Sequence, residues 1–458
     1  MDRLDKKQKQ LLLALCYTVL FSVMNGTMFN VALPEIARDF GLLPSQVSWV
    51  VVGYGMVFAI GSITYGKLAD LFPVRRLVTI GLSIFSLGSV LGFFASAYWL
   101  VIMARIVQAS GAAAIPALGM IVATKYFPAE RRGYVLGYIA STVAFGTGIG
   151  PMLGGMITQW FGWSVLFLFS VTSLLALPIL HRALPVEQMT KGSFDTMGAL
   201  LFGAGIASLL LGINANLMIA GLAVVFFVLF GMHIRRTQAP FIQVSLLANG
   251  PYRLLLLLGM MIFFAMMSSF FILPLLLEEV NGLKAGVIGL VLFPGSMMAA
   301  LLGSRIGRLS DKYGSAVIIK WASLSMALGF VALSTFIGIS PVGIACMLVV
   351  VYLGFSSIQS ALASFVSRPL ERKEIGVGMG LYNLTTFMGS AFGPALVSRF
   401  LEMHTGHWNL LNGTAFDSYS NAYLILAVVC LGALVVLALV QIRLSKEAQL
   451  PAQQYESI

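Results

Sequence analysis

The strongest constraint on this chain is the long intervals over which it carries no charge. Only 10% of its 458 residues are Asp, Glu, Lys or Arg, and 59% are hydrophobic. The hydrophobic residues gather in successive runs, each near the length of about 20 residues that lets a helix cross a bilayer. An ordinary soluble domain carries roughly 25% charged residues. That contrast excludes a soluble enzyme, a secreted domain, a disordered chain and a nucleic-acid binder. The runs predict an all-α polytopic membrane protein with 14 transmembrane helices, near 11–33, 47–65, 77–97, 98–124, 133–157, 164–181, 197–213, 217–234, 253–277, 286–304, 316–338, 342–366, 377–401 and 422–442.

The net charge of +11 is explained by where the basic residues sit. With the N-terminus placed inside, 23 of the 28 Lys and Arg fall in inner loops. Arg38, Lys284 and Arg399 lie outside or near it, and Arg105 and Lys320 fall within spans. Such asymmetry is the positive-inside pattern, and it predicts that both termini are cytoplasmic. The basic balance then needs an anionic inner leaflet as its partner and no nucleic acid. The basic segment ending at Gln10 runs straight into an apolar stretch without a small-residue cleavage site, so a retained first helix is expected. Cys16, Cys346 and Cys430 each sit in an apolar run and read as core residues.

Three patterns recur at nearly one offset. Gly66-Lys67-Leu68-Ala69-Asp70 returns as Gly307-Arg308-Leu309-Ser310-Asp311, and Glu130-Arg131-Arg132 returns as Glu371-Arg372-Lys373, both 241 residues on. Gly150-Pro151 returns as Gly393-Pro394, 243 residues on. Two related halves in the same orientation follow, with two helices inserted between them. The expected domains are a six-helix bundle at 1–196, two linker helices at 197–234 and a second six-helix bundle at 235–458.

The loop at 66–70 with Arg75-Arg76 resembles the signature loop of the major facilitator superfamily. The run from Gly146 through Gly150, Pro151, Gly154 and Gly155 resembles the fifth-helix motif of its drug:proton antiporters. Asn30-Val31-Ala32-Leu33-Pro34 resembles the end of the first helix in the fourteen-helix branch. Within that branch the chain looks most like the class K and class L tetracycline exporters of Gram-positive bacteria. Met103-Ala104-Arg105, Gln108, Gly111 to Ala114, Pro116-Ala117-Leu118, Phe194-Asp195, Phe293-Pro294-Gly295, Gly378-Met379 and Asn383 carry much of that likeness. The resemblance implies a major facilitator fold in the bacterial cell membrane, working as a monomer. It implies export of a small lipophilic drug, multidrug or tetracycline-like, by alternating access. The proton gradient supplies the energy, with no cofactor.

The same resemblance gives roles to residues. Gly66, Asp70, Arg75, Arg76 and Asp311 would form a latch between the halves, with Pro73 standing where a glycine is usual. Arg105, inside the fourth span, would take part in proton coupling. An arginine in a span is costly and should face a cavity or a partner. Glycines at 146, 150 and 154, spaced by four, allow close helix approach, and Pro151 favours a bend. Asn25, Asn30, Tyr54, Gln108, Gln359 and Asn383 could line a substrate cavity, with packing and interhelical hydrogen bonding as the plainer alternative.

No acid falls in the middle of a predicted span. Where the family often has an acid in the first helix this chain has Asn25 or Gly26, and Thr147 replaces one in the fifth-helix motif. The remaining proton-coupling candidates are Asp70, Glu278 and Glu279, with Glu35, Asp39 and Asp311 also near span ends. Neutral or lipophilic substrates thus fit better than strongly cationic ones. A monovalent cation (Na+ or K+)/proton antiporter is the rival reading. A non-transporting receptor fits less well with both motifs intact. No metal cluster or nucleophile set suggests an enzyme, and His404 and His407 lie in an outer loop without further ligands.

Overall fold

The computed structural model describes residues 5–185, 187, 189, 194–214, 217–237, 241–242, 244–371, 374–403, 406–409 and 416–455. Among these residues the only regular structure is helix. The helical rods run in order as α1 (Lys6–Phe40), α2 (Pro44–Leu68), α3 (Val74–Phe93), α4 (Tyr98–Lys125), α5 (Ala129–Phe161), α6 (Val165–Ala183) and α7 (Thr196–Asn214). They continue as α8 (Leu217–Ile234), α9 (Gly250–Glu279), α10 (Ala285–Tyr313), α11 (Ser315–Thr335), α12 (Pro341–Val366), α13 (Ile375–Leu401) and α14 (Asp417–Tyr455). By length and composition, 12 of the helices are candidate membrane spans, where the sequence pattern predicts fourteen. In α8 the apolar part, Met218–Ile234, is shorter than a full span. In α13 the apolar character is diluted by glycines 376, 378, 380, 389 and 393 and by Asn383, Thr385 and Thr386.

Local chemistry sets several helix ends. Gly41 ends α1 in the left-handed region at φ 63°, and its N–H bonds back to Ala37 and Arg38. Glycine tolerates that conformation, so the chain can turn sharply into α2. Two helices start on a capping side chain followed by proline. Asn249 accepts from the Tyr252 N–H at the start of α9, and Ser340 accepts from the Gly343 N–H at the start of α12. Proline has no N–H to leave unsatisfied in the first turn.

Helices α1–α6 pack mainly among themselves, as do α9–α14. The two main seams between the groups are α5 on α10 and α2 on α13, and α1 also touches α9. Advancing by 241 residues carries α2 onto 285–309 and α5 onto 370–402, which are essentially α10 and α13. The offset read from sequence therefore exchanges one seam for the other. The α7–α8 pair pack on each other, with α7 beside α13 and α2. Asp195 ties the pair down. It accepts from His233 Nε2 at 2.7 Å and from the backbone N–H groups of Gly198 and Phe241 at 2.8 Å each.

Apolar side chains gain little by leaving lipid for one another, so close approach at these seams depends on small residues. A Cβ on Gly146, Gly150 or Gly154 would point at α1, with that on Gly150 only 2.1 Å from Thr27 Oγ1. Gly148 and Gly155 lie on the other side of α5, against α10. A Cβ on Gly155 would stand 2.2 Å from the Ala285 carbonyl oxygen. The four-residue spacing thus serves the α1 contact, and Gly155 serves the seam between groups. At that seam Gly286 N–H donates to Gln159 Oε1 at 3.0 Å.

Gly155→Ala should force α5 and α10 apart at this end, at a cost of about 1–3 kcal/mol. Spin labels at exposed Trp160 and Lys284 should report a longer distance in the variant, and an unchanged distance would show that the seam is not tight.

Candidate functional site

Arg105 is fully buried in α4. Its Nε donates to the Val50 carbonyl of α2 at 3.1 Å, and Nη1 donates to Asn25 Oδ1 of α1 at 2.8 Å and to Gln108 Oε1 at 2.7 Å. Gln108 lies one turn along α4, which is why its amide can reach back. The guanidinium carbon lies 4.1 Å from the centroid of the Phe29 ring and 4.0 Å from that of Tyr54. Two further hydroxyls orient the acceptors. Gln108 Nε2 donates to Ser89 Oγ of α3 at 2.7 Å, and Asn25 Nδ2 donates to Ser170 Oγ of α6 at 2.6 Å. With their amide nitrogens engaged as donors, both side chains turn their oxygens to the arginine.

Among the described residues no carboxylate hydrogen-bonds to Arg105 or forms an ion pair with it. Its charge is met by neutral dipoles and aromatic faces, an arrangement that avoids burying a second ion. Arg105 Nη2 and the Tyr54 hydroxyl remain without a hydrogen-bond partner. An arginine keeps its proton, so this group can orient dipoles or receive an acceptor but does not shuttle a proton. Tyr54 links it to the seam between groups. The Tyr54 ring stacks on Phe58 at 5.9 Å, and Phe58 meets Phe387 of α13 edge-on at 5.2 Å.

The structure thus brings together Arg105, Asn25, Tyr54 and Gln108, all buried. Asn30 is also buried, Asn383 is half-buried and Gln359 is exposed, and none of these three shares a hydrogen bond with the Arg105 cluster. Sequence reasoning missed Phe29, Ser89, Ser170 and the Val50 carbonyl. Phe29 could have been found, because it lies four residues from Asn25 on one face of α1. The others come from separate helices, and nothing in their local sequence marks them.

Two carboxylate candidates sit at the end of the molecule where α1 turns into α2. Glu278 Oε1 accepts from Arg38 Nη1 at 3.0 Å, which joins α9 to α1. Glu279 accepts from the Tyr419 hydroxyl at 2.6 Å. At the opposite end, where α2 turns into α3, Asp70 is exposed and Arg76 is exposed. Arg75 Nη2 donates to His181 Nδ1 of α6 at 3.0 Å. Arg75 lies in the first turn of α3, which directs it towards α6 rather than back to Asp70. The ring proton of His181 then falls on Nε2, 2.6 Å from Thr79 Oγ1. A would-be Cβ on Gly66 meets open space. The side chain of Asp311, as well as Arg372, Lys373 and His404, lie outside the described residues.

The same end carries an acid that sequence reading passed over. Glu187 accepts from Lys125 Nζ at 2.6 Å and from the Val74 N–H at 3.3 Å. Burial works against its carboxylate, but Lys125 and the Val74 amide outweigh it and hold the pKa below the usual glutamate value.

The family model described as Major Facilitator Superfamily matches residues 15–394. The chain is 29% identical over 428 residues to the riboflavin transporter RibZ of Clostridioides difficile, covering 92% of this chain and 93% of that one. It is 27% identical over 398 residues to the multidrug resistance protein Stp of Mycobacterium tuberculosis, covering 82% and 73%. In fold it resembles a bacterial homologue of the lysosomal transporter Spinster in an inward-facing, occupied conformation, with TM-score 0.69, 15% identity, and coverage of 96% and 97%. A peptide transporter, POT, in complex with sulfate gives TM-score 0.68 at 16% identity, with 95% and 94% covered.

Asn25→Ala should strip one acceptor from a buried cation and lower stability by about 1–3 kcal/mol. Asn25→Asp supplies a counter-charge and should hold or raise the melting temperature in detergent. Equal melting temperatures for all three proteins would remove the cluster's structural role. The Glu187 tie is in place at neutral pH and is lost as pH falls through its lowered pKa. Glu187→Gln should therefore flatten the acid limb of a melting-temperature-against-pH curve.

Proposed function

The chain belongs to the major facilitator superfamily, and from that premise we propose a secondary active exporter working by alternating access. It is a multi-pass membrane protein and a transporter, and we place it in the bacterial cell membrane as a monomer. The observation that carries the reading is the asymmetry of the contacts between the two groups of helices. At the α1–α2 end the groups are joined by the Gly155 seam and by Arg38–Glu278. At the α2–α3 end the Asp70 carboxylate is exposed and makes no hydrogen bond or ion pair among the described residues, and Tyr134, Tyr138 and Phe145 on α5 are exposed. With the positive-inside assignment, we read this as a transporter closed to the outside. Fourteen spans in a six, two and six arrangement, with both termini cytoplasmic, complete the proposal: α8 and α13 cross with the other twelve.

The substrate in this reading is a small lipophilic or amphipathic drug, exchanged for protons. The lack of a carboxylate at Arg105 favours neutral molecules bearing hydrogen-bond acceptors over strong cations, and moves the proton to carboxylates such as Glu278 and Glu279. A second reading, a planar polar heterocycle such as a flavin, is favoured by the likeness to RibZ along nearly the whole of both chains. The monovalent cation/proton antiporter is a third outcome that the same assay separates.

Purified protein in liposomes with an imposed pH gradient should release protons when a transported compound is added. Tetracycline, ethidium, riboflavin, sodium and potassium are the compounds to compare. A response to sodium or potassium alone would overturn the export reading. Arg105→Ala should abolish gradient-driven uptake into inverted vesicles, and normal uptake would remove Arg105 from the mechanism.

A further inference from the structure

Resting on the transport reading above, we propose that Glu402, just past the end of α13, is the proton-accepting residue of the gate at the α1–α2 end. Its Oε1 accepts from the Ser45 backbone N–H of α2 at 2.7 Å, reaching from one helix group to the other. Its Oε2 accepts from Arg399 Nη1 at 2.9 Å. The side chain is only 13% exposed, against 67% and 31% for Arg38 and Glu278. The second pair is more screened by water and holds the gate less firmly. Glu402 borders a cavity of about 670 Å³, shared with Leu43, Pro44, Glu279, Arg399 and Tyr419. That cavity gives water, and so protons, a way to the carboxylate.

The surroundings make its charge state decisive. Arg399 is the cation beside it, on its own helix. From α9 and α14 come Glu279, hydrogen-bonded by Tyr419, and Asp417, which is engaged by His407 of the segment between α13 and α14. From α1 come Arg38, engaged by Glu278, Asp39, which accepts from Trp163 Nε1 at 2.9 Å, and Glu35. An ionised Glu402 therefore closes the gate with a charge-assisted bond to the Ser45 amide while Arg399 holds its other oxygen. One proton from the outer solution adds to a carboxylate oxygen, no other bond changes, and both contacts weaken. The seam of α2 on α13 is then free to part. Protonation from outside opens the outer gate, as exchange of an outgoing substrate for an incoming proton needs. No acid in the middle of a span is required.

The test reads the gate itself and not transport. Spin labels are placed at exposed Leu43 and Met403, with Cys16, Cys346 and Cys430 changed to serine. When the pH is lowered from about 7 to about 4, into the range where an ordinary glutamate side chain takes up a proton, the long-distance population should grow about threefold relative to the short one. Glu402→Gln should show the long distance at both pH values, and Glu402→Asp, which keeps a titrating group, should retain the pH response. Glu187→Gln, at the opposite end of the molecule, should leave the response intact. A pH response that survives in Glu402→Gln, disappears in Glu187→Gln, or is absent from the parent protein would overturn the proposal. Failure to find any transported compound would leave these distances unchanged, so the two readings fail separately.

Discussion

A guanidinium sealed from water inside a bundle of apolar helices is the constraint around which the first helix group is organised. Its charge cannot be left bare, and in this chain no described carboxylate answers it. The solution draws on every neighbouring helix: a carbonyl from α2, an amide from α1, an amide from α4 itself, and hydroxyls from α3 and α6 to orient the amides. Five helices are thereby fixed relative to one another by polar contacts that have no alternative partner in lipid. Close packing supplies what those contacts need. A Cβ on Gly88 of α3 would fall 2.4 Å from the Gln108 backbone nitrogen, and one on Gly111 of α4 would fall 2.2 Å from that of Phe85. The glycines that bring α3 against α4 are the reason Ser89 can reach Gln108.

This arrangement separates two tasks that an arginine–carboxylate pair would combine. Arg105 supplies a fixed positive field and an unmatched Nη2, while in the proposed exchange protonation falls to carboxylates. At the α1–α2 end Glu278, Glu279 and Glu402 meet partners on other helices. The aromatic path from Tyr54 through Phe58 to Phe387 joins the cluster to the seam that the gate closes. Motion at that seam therefore changes the surroundings of the Tyr54 ring, one of the two faces that solvate the guanidinium.

Much of the scaffold could be read from the chain in one dimension. The apolar runs locate the rods, and the recurrence of Gly66–Asp70 at 307–311 pairs α2 with α10, which proves to exchange the two seams. Arg105 stood out as the charge inside a span, and Asn25 and Gln108 were already among the candidates. What was not readable depends on contacts between distant positions. Arg75 turns to His181, 106 residues away, instead of the acid nearby, and Glu402 reaches Ser45 across 357 residues. The glycine motif shows the same division. Its spacing of four announced a close helix contact, but not that α1 takes Gly146, Gly150 and Gly154 while α10 takes Gly155.

Composition and charge placement alone therefore settle the class of molecule, because water and lipid sort side chains by polarity regardless of their partners. The recurrence of short motifs 241 residues apart is likewise read from the chain itself. The tertiary structure decides which dipoles solvate Arg105 and which carboxylates join the groups. Those choices follow from distances of a few ångströms between residues far apart in sequence, and no local preference encodes them.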